Sequence, residues 1–182
     1  PDLLLHQYSS ELNQVYSLMY LLIDQHLLKL TQAADQSHVY TLHAELEGMR
    51  LAHQKDAVAM CRFLAWLDRQ VEKGLDGDEG TLADQLLRFR EEQDNFVEPS
   101  FTSISALGPN AAMCHYHHTN GTPRAFGQDG MYLIDSGGQY LEGTTDITRT
   151  IALGPVTDEE RRVYTLVLKG HINLSRCHFP EG

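Results

Sequence analysis

Apolar residues recur at three- and four-residue steps from Leu12 to Leu30, through Val15, Tyr16, Met19, Leu22, Ile23, His26 and Leu27. That periodicity predicts an amphipathic helix, with Ser9 or Ser10 at its start. The polar stretch Thr31 to Ser37 reads as a fraying end or a linker. A second and longer helix is predicted over Ala44 to Lys73, with Leu46, Met49, His53, Ala57, Met60, Leu64, Leu67 and Val71 on one face. His53 in that stripe is expected to be a packed or boundary residue. GLDGDEG, from Gly74 to Gly80, stops the helix; it lacks the ligand pattern of an EF-hand loop and reads as a solvated linker. Thr81, with Asp84 three residues on, is expected to cap a third helix whose buried side is Leu82, Leu86, Leu87 and Phe89.

From Phe96 the pattern changes to strands. SFTSISAL is rich in β-prone residues, Gly108-Pro109-Asn110 has turn chemistry, and AAMCHYHH is expected to return as the partner strand. Alternation would then place Met113, His115 and His117 on one face and Cys114, Tyr116 and His118 on the other. A metal site at His115 and His117 would lack a third ligand. The polar loop Asn120 to Asp129 follows, where Arg124 is either solvated or aimed at a substrate carboxylate. MYLID and DITRTI, separated by Gly137, Gly138 and Gly143, form the next pair of strands. Thr157 and Glu160 have the T-x-x-E form of a capping box. They open a last helix whose apolar side is Val163, Leu166, Val167, Gly170, Leu174 and Cys177, with His171 and His178 structural. Helices, then an antiparallel sheet, then a helix make an α+β domain.

Composition narrows the partners. The chain has 182 residues, 42% hydrophobic and 21% charged, with a formal net charge of -11. That balance suits one globular domain and argues against nucleic acid or an anionic membrane as partner, since both need a basic face. The longest apolar run, Leu18 to Ile23, is too short to span a bilayer. PDLLLHQYSSE carries no basic n-region. Cys61, Cys114 and Cys177 are too few and too scattered for a disulfide framework. A reduced, cytoplasmic setting with each cysteine buried in a structural role is expected.

The candidate chemistry lies in Met131 to Ile151. With the midpoint of the two strands between Tyr140 and Leu141, Asp135 falls opposite Asp146, which would bring the Cβ atoms to roughly 4.5–5.5 Å. Two carboxylates that close repel each other, unless one keeps its proton or a divalent cation lies between them. Spacing alone leaves this open against two solvated turn aspartates, the commoner arrangement. Thr148 shares the face of Asp146. Its hydroxyl is either an ordinary strand threonine or a hydrogen-bond donor to a metal-bound carboxylate.

DSGGQYLEGTTDITRT resembles the metal-binding hairpin of the Xaa-Pro aminopeptidases (aminopeptidase P), pita-bread metallopeptidases. ELEGMRLAHQKDAVAMCRFLAWL, SFTSISALGPNAAMCHYH and VLKGHINLSRCHFPEG resemble further segments of that family, in the family's order. The resemblance covers about Glu45 to Gly182 and implies the first half of a pita-bread fold, helices packed on an antiparallel sheet. Residues 1–44 are a helical segment and linker that it does not cover. It further implies that Asp135 and Asp146 are metal ligands, Asp146 bridging two metals, and that His115 contacts the substrate. The cofactors would be two divalent cations, manganese first, with cobalt or zinc as alternatives. The activity would be release of an N-terminal residue from peptides with proline at the second position, by a homo-oligomeric full-length protein. The family site needs one histidine and two glutamates beyond Gly182, so the chain is expected to be a fragment, inactive alone, with no general base of its own. Two other functions stay open. One is a sibling of prolidase or methionine aminopeptidase type; the other is a pita-bread domain that binds protein without catalysis.

Overall fold

The computed structural model describes residues 36–74, 76–127 and 130–178, with side chains from residue 43 onward. The helix expected over Leu12 to Leu30 lies outside the described residues. The chain divides into two compact units, one of residues 45–164 and the other of residues 1–44 with 165–182. Helix α1 runs Gln36–Lys73 and α2 Glu79–Glu91, followed by strands β1 (Phe96–Pro99) and β2 (Ile104–Leu107). A 3-10 turn (Gly108–Ala112) precedes β3 (Met131–Ser136), β4 (Gly138–Tyr140), β5 (Ile147–Ala152) and helix α3 (Asp158–Ser175). The helix over Ala44 to Lys73 is thus present but begins at Gln36, and the expected α+β architecture of helices and antiparallel sheets is what forms.

There are two small antiparallel sheets: β1 pairs with β4, and β2, β3 and β5 form the other with β3 central. The chain passes from one sheet to the other between Ser136 and Gly138. Along β3, Tyr132, Ile134 and Ser136 are buried while Met131, Leu133 and Asp135 are half-buried on the opposite face. Strand alternation therefore assigns one face to the core and leaves the other for Asp135. The core face meets Met60, Phe63 and Leu67 of α1 and Leu82 and Leu86 of α2, together with Leu107, Ile147 and Leu153. The buried stripe of α1 is Ala52, Asp56, Ala59, Met60, Phe63 and Leu67, rotated from the one the periodicity suggested; Met49 is exposed.

Within that stripe lies a charge. Asp56 is 0% exposed and Arg90 of α2 2% exposed. Arg90 Nε donates to Asp56 Oδ1 at 2.7 Å, and a second guanidinium nitrogen donates to Oδ2 at 3.1 Å. Tyr140 of β4 donates its hydroxyl to Oδ1 at 3.0 Å. Burial, then the neighbouring Asp56 charge, pushes the Tyr140 phenol well above its ordinary range. One carboxylate thereby ties α1, α2 and β4 together.

A second buried carboxylate fixes the loop after β2. The start of α2 is capped by Asp78, whose carboxylate accepts from Thr81 N while the Thr81 hydroxyl accepts from Asp78 N. Thr81 is therefore the third residue of the box, not the cap. Glu79, next to it, is fully buried, so Gly74 to Gly80 is not simply a solvated linker. Its carboxylate accepts from Leu107 N at 2.6 Å, Asn110 Nδ2 at 2.9 Å, the Tyr116 hydroxyl at 2.6 Å and Arg124 N at 3.1 Å. These donors draw residues 107–124 around the first turn of α2, where the helix dipole favours negative charge. A strand over AAMCHYHH cannot form under that pull. The segment is a 3-10 turn followed by further turns, with Pro109 in its first turn and Asn110 and Tyr116 directed at Glu79.

Two outcomes are expected. Arg90→Met, which leaves Asp56 buried without its cation, should cost about 3–5 kcal/mol of stability in urea unfolding. Glu79→Ala, which strands several buried donors, should cost about 3 kcal/mol at an order of 1–3 kcal/mol per group left unpaired and partial water entry. Alkali tests the same site. Burial, then the hydrogen bond to Glu79, pushes Tyr116 from its ordinary 10.0 up to about 12. The folded state holds the proton longer than the unfolded chain. The contribution is therefore complete below pH 10 and lost as pH rises from 10 towards about 12. Tyr116→Phe should make that alkaline loss shallower without abolishing it, because Tyr132 and Tyr140 are raised as well.

Candidate metal centre

The hairpin joining β3 to β5 turns one residue later than its sequence suggests. Tyr140 N donates to Gly143 O and Gly143 N to Tyr140 O, so Leu141 and Glu142 form the tip. The register follows from that tip. Asp135 faces Thr148, and Ser136 faces Ile147. Asp135 is therefore not opposite Asp146. Carried one step further, the register sets Asp146 against Gly137, diagonal to Asp135 on the neighbouring strand. The displacement is an even number of residues, so no side chain changes face. Asp135, Asp146 and Thr148 remain on the side of the sheet away from the core. Diagonal neighbours lie roughly 7–8 Å apart, within reach of side chains that lean together.

Tertiary anchors decide where the tip falls. Tyr140 is buried with its hydroxyl on Asp56, while Leu141 is 75% exposed. Asn95 accepts from Leu141 N, and the Glu142 carboxylate takes both Lys55 Nζ and Asn95 Nδ2 at 2.6 Å. Those two donors hold the Glu142 carboxyl below its ordinary range.

The ladder is altered just before Asp146. Thr145 N donates to Gly138 O at 2.9 Å, but Gly138 N donates to the Thr145 hydroxyl at 2.9 Å instead of the Thr145 carbonyl. That carbonyl accepts from the Ser100 hydroxyl at 2.8 Å, and Ser100 N donates to Gly137 O at 3.1 Å. Gly137 is required by this approach, since a Cβ there would lie 1.9 Å from Thr145 O and 2.3 Å from Ser100 Oγ.

Asp135 is half-buried and Asp146 exposed, so both carboxylates are open to a ligand. Thr148 donates its hydroxyl to Asp135 Oδ1 at 2.8 Å, which orients that carboxylate. Arg149 donates to the Thr148 carbonyl. Two carboxylates on one face suit a hard divalent cation in donor chemistry. Among the described residues no group of three or more histidines, cysteines, aspartates or glutamates is arranged to hold a metal ion. The pair fits as part of a larger ligand set.

His115 lies on the loop pinned by Glu79, exposed and in the left-handed region at φ 55°. No hydrogen bond joins it to Asp135 or Asp146 among the described residues. Its neighbour Tyr116 is buried on Glu79, so the loop's backbone is held while the His115 ring faces solvent. Cys61, Cys114 and Cys177 are all exposed, contrary to the expected burial. Helical and turn positions left their faces to tertiary packing, and the packing turned all three outward. The Thr157–Glu160 capping box forms as expected, with Glu160 N donating to the Thr157 hydroxyl and Thr157 N to the Glu160 carboxylate. Sequence reasoning missed Glu79, Ser100 and Thr145. For Glu79 a signal was present in the adjacent D-x-x-T cap, which marks Glu79 as the first helical residue; for the other two there was none.

No helix among the described residues is long and apolar enough to cross a membrane. Residues 47–182 match metallopeptidase family M24. The chain is 49% identical over 139 residues to a probable Xaa-Pro aminopeptidase P of Neurospora crassa, covering 76% of this chain and 20% of that protein. It is 45% identical over 136 residues to the Xaa-Pro aminopeptidase ApepP of Drosophila melanogaster, covering 75% of this chain and 22% of that protein. Among solved structures it resembles the X-prolyl aminopeptidase of Caenorhabditis elegans, described as a cytosolic enzyme with a di-nuclear active site. There the TM-score is 0.71 at 42% identity, over 76% of this chain and 23% of the other. A proline aminopeptidase P II of Yersinia pestis gives a TM-score of 0.59 at 28% identity, over 76% of this chain and 29% of the other. The chain spans about a fifth of the length of the curated relatives it matches. The fold is the first half of a pita-bread fold, and the chain belongs to metallopeptidase family M24.

Proposed function

We propose that this chain is part of a dinuclear metalloaminopeptidase that releases the N-terminal residue from peptides with proline at the second position, in a cytosolic setting. The observation that carries this reading is the placement of Asp135 and Asp146 on one open sheet face, with Thr148 donating to Asp135, in a chain 49% identical to a probable Xaa-Pro aminopeptidase P. Asp135 and Asp146 would hold divalent cations, manganese first by the hardness of the oxygen donors, with cobalt or zinc as alternatives. When bound, such ions supply a hydroxide at neutral pH and polarise the scissile carbonyl. The work of this chain's own residues is to hold and orient. Asp135 and Asp146 bring negative charge to one face of a rigid sheet. Thr148 occupies one lone pair of Asp135 Oδ1, leaving the other carboxylate oxygen unencumbered. His115, on a loop fixed by Glu79, would hydrogen-bond the substrate near the scissile peptide. No general base is assigned within this chain. The 182-residue chain is inactive alone, because two carboxylates do not close a two-metal site.

The test is hydrolysis of Xaa-Pro peptides by the full-length protein with added manganese. Turnover is expected there and not with the 182-residue chain. Asp146→Ala in the full-length protein should reduce kcat by about 10²–10³-fold or more, the scale of losing the charge stabilisation that an ion held there would give the developing oxyanion. Manganese binding without cleavage of such peptides would overturn the aminopeptidase reading in favour of a protein-binding module.

A further inference from the structure

The hairpin does not bring Asp135 and Asp146 directly opposite each other, yet one cation held by both needs their carboxylates close. The feature beside Asp146 is the altered ladder at Thr145, one rung nearer the hairpin tip. In an undisturbed antiparallel pair Gly138 N would donate to the Thr145 carbonyl. Here the Thr145 hydroxyl takes that bond, and the carbonyl is drawn out to the Ser100 hydroxyl. The carbonyl belongs to the peptide whose nitrogen is Asp146's own. Turning that peptide turns the Asp146 Cα and the direction of its side chain, much as a bulge re-aims a residue beside a site. Thr145 is fully buried, so its substituted bond is shielded from water. Gly137, opposite Asp146, has no side chain to keep the strands apart, and Ser100 N fixes its carbonyl at 3.1 Å.

We propose that Ser100 and Thr145 are positioning residues for the carboxylate pair. By exchanging the Thr145 carbonyl for its hydroxyl in the ladder, they set the aim of Asp146 relative to Asp135, and so the affinity of this face for a divalent cation. The proposal rests on the metal reading above for its consequence, but its structural claim does not need a metal.

The experiment uses the ¹⁵N,¹³C-labelled chain in two arms. Without metal, the side-chain carboxyl ¹³C shifts of Asp135 and Asp146 are compared across Thr145→Val, Thr145→Ser, Ser100→Ala and Thr144→Val. The Asp146 carboxyl signal is expected to move in Thr145→Val and Ser100→Ala. It should stay near its original position in Thr145→Ser, which keeps the hydroxyl, and in Thr144→Val, whose hydroxyl bonds Gln139. With MnCl₂ added, paramagnetic broadening should centre on residues 134–136 and 145–147 together. Thr145→Val and Ser100→Ala should raise the manganese concentration needed by about tenfold, the lower end for losing a residue that orients a metal ligand. Folding is checked by the dispersion of the remaining amide signals, and Ser100→Ala, the milder change, stands in if Thr145→Val unfolds. An unchanged Asp146 carboxyl signal in both variants, with unchanged manganese response, would overturn the proposal. A wild-type chain that shows no broadening at either aspartate would instead count against the metal reading, while the metal-free arm still decides this one.

Discussion

Asp56 sits in the middle of a helix whose neighbours on the same face are apolar, and it is entirely removed from water. A carboxylate in that position is tolerable only if its charge and lone pairs are satisfied. Arg90 supplies a two-pronged cation from α2, and Tyr140 supplies a hydroxyl from β4. The interaction is specific in a way that apolar contacts are not. Leucines can slide against one another at small cost, but Arg90 and Tyr140 reach Asp56 in one arrangement of the two helices and the hairpin. With Tyr140 held there, the hairpin must turn at Leu141 and Glu142, and the register of β3 against β5 is settled. The positions of Asp135, Thr148 and Asp146 follow from that register.

Glu79 does for the loop what Asp56 does for the hairpin. It gathers donors from the end of β2, the 3-10 turn, Tyr116 and the Arg124 backbone. Each of these groups would otherwise need water, and the loop has no regular secondary structure to satisfy them. The result is a long irregular segment with a determined course, carrying His115 outward in a left-handed conformation that only a well-held backbone sustains. Both carboxylates act by the same physics: a buried acceptor with several lone pairs recruits donors distant in the chain, and the polymer between them has little freedom left.

A sheet that presents two acidic residues on its open face must keep them there against their own repulsion. Packing does this from behind, through Tyr132, Ile134 and Ile147 on the core face. Hydrogen bonds flank the same face, Thr148 on Asp135 and Ser100 and Thr145 around the peptide that leads into Asp146. None of these residues carries charge, which leaves the electrostatics of the face to the aspartates.

Period-3.6 and period-2 patterns located α1, α2, α3, β3 and β5, because side-chain direction in regular elements is a local property of the backbone. The face shared by Asp135 and Asp146 was legible for the same reason, and the DSGGQYLEGTTDITRT wording identified the family. The partner of Asp135 was not, since Tyr140 had to be pulled onto Asp56, 84 positions away in the chain. Nor was the shape of AAMCHYHH, whose strand-like alternation lost to a carboxylate in a stretch that reads as linker. The sequence by itself located α1, α2, α3, β3 and β5 and the alternation of side chains along the two strands. Tertiary structure decided the register, the loop and the outward turn of the cysteines, because buried charges are satisfied only by groups that local pattern cannot bring together.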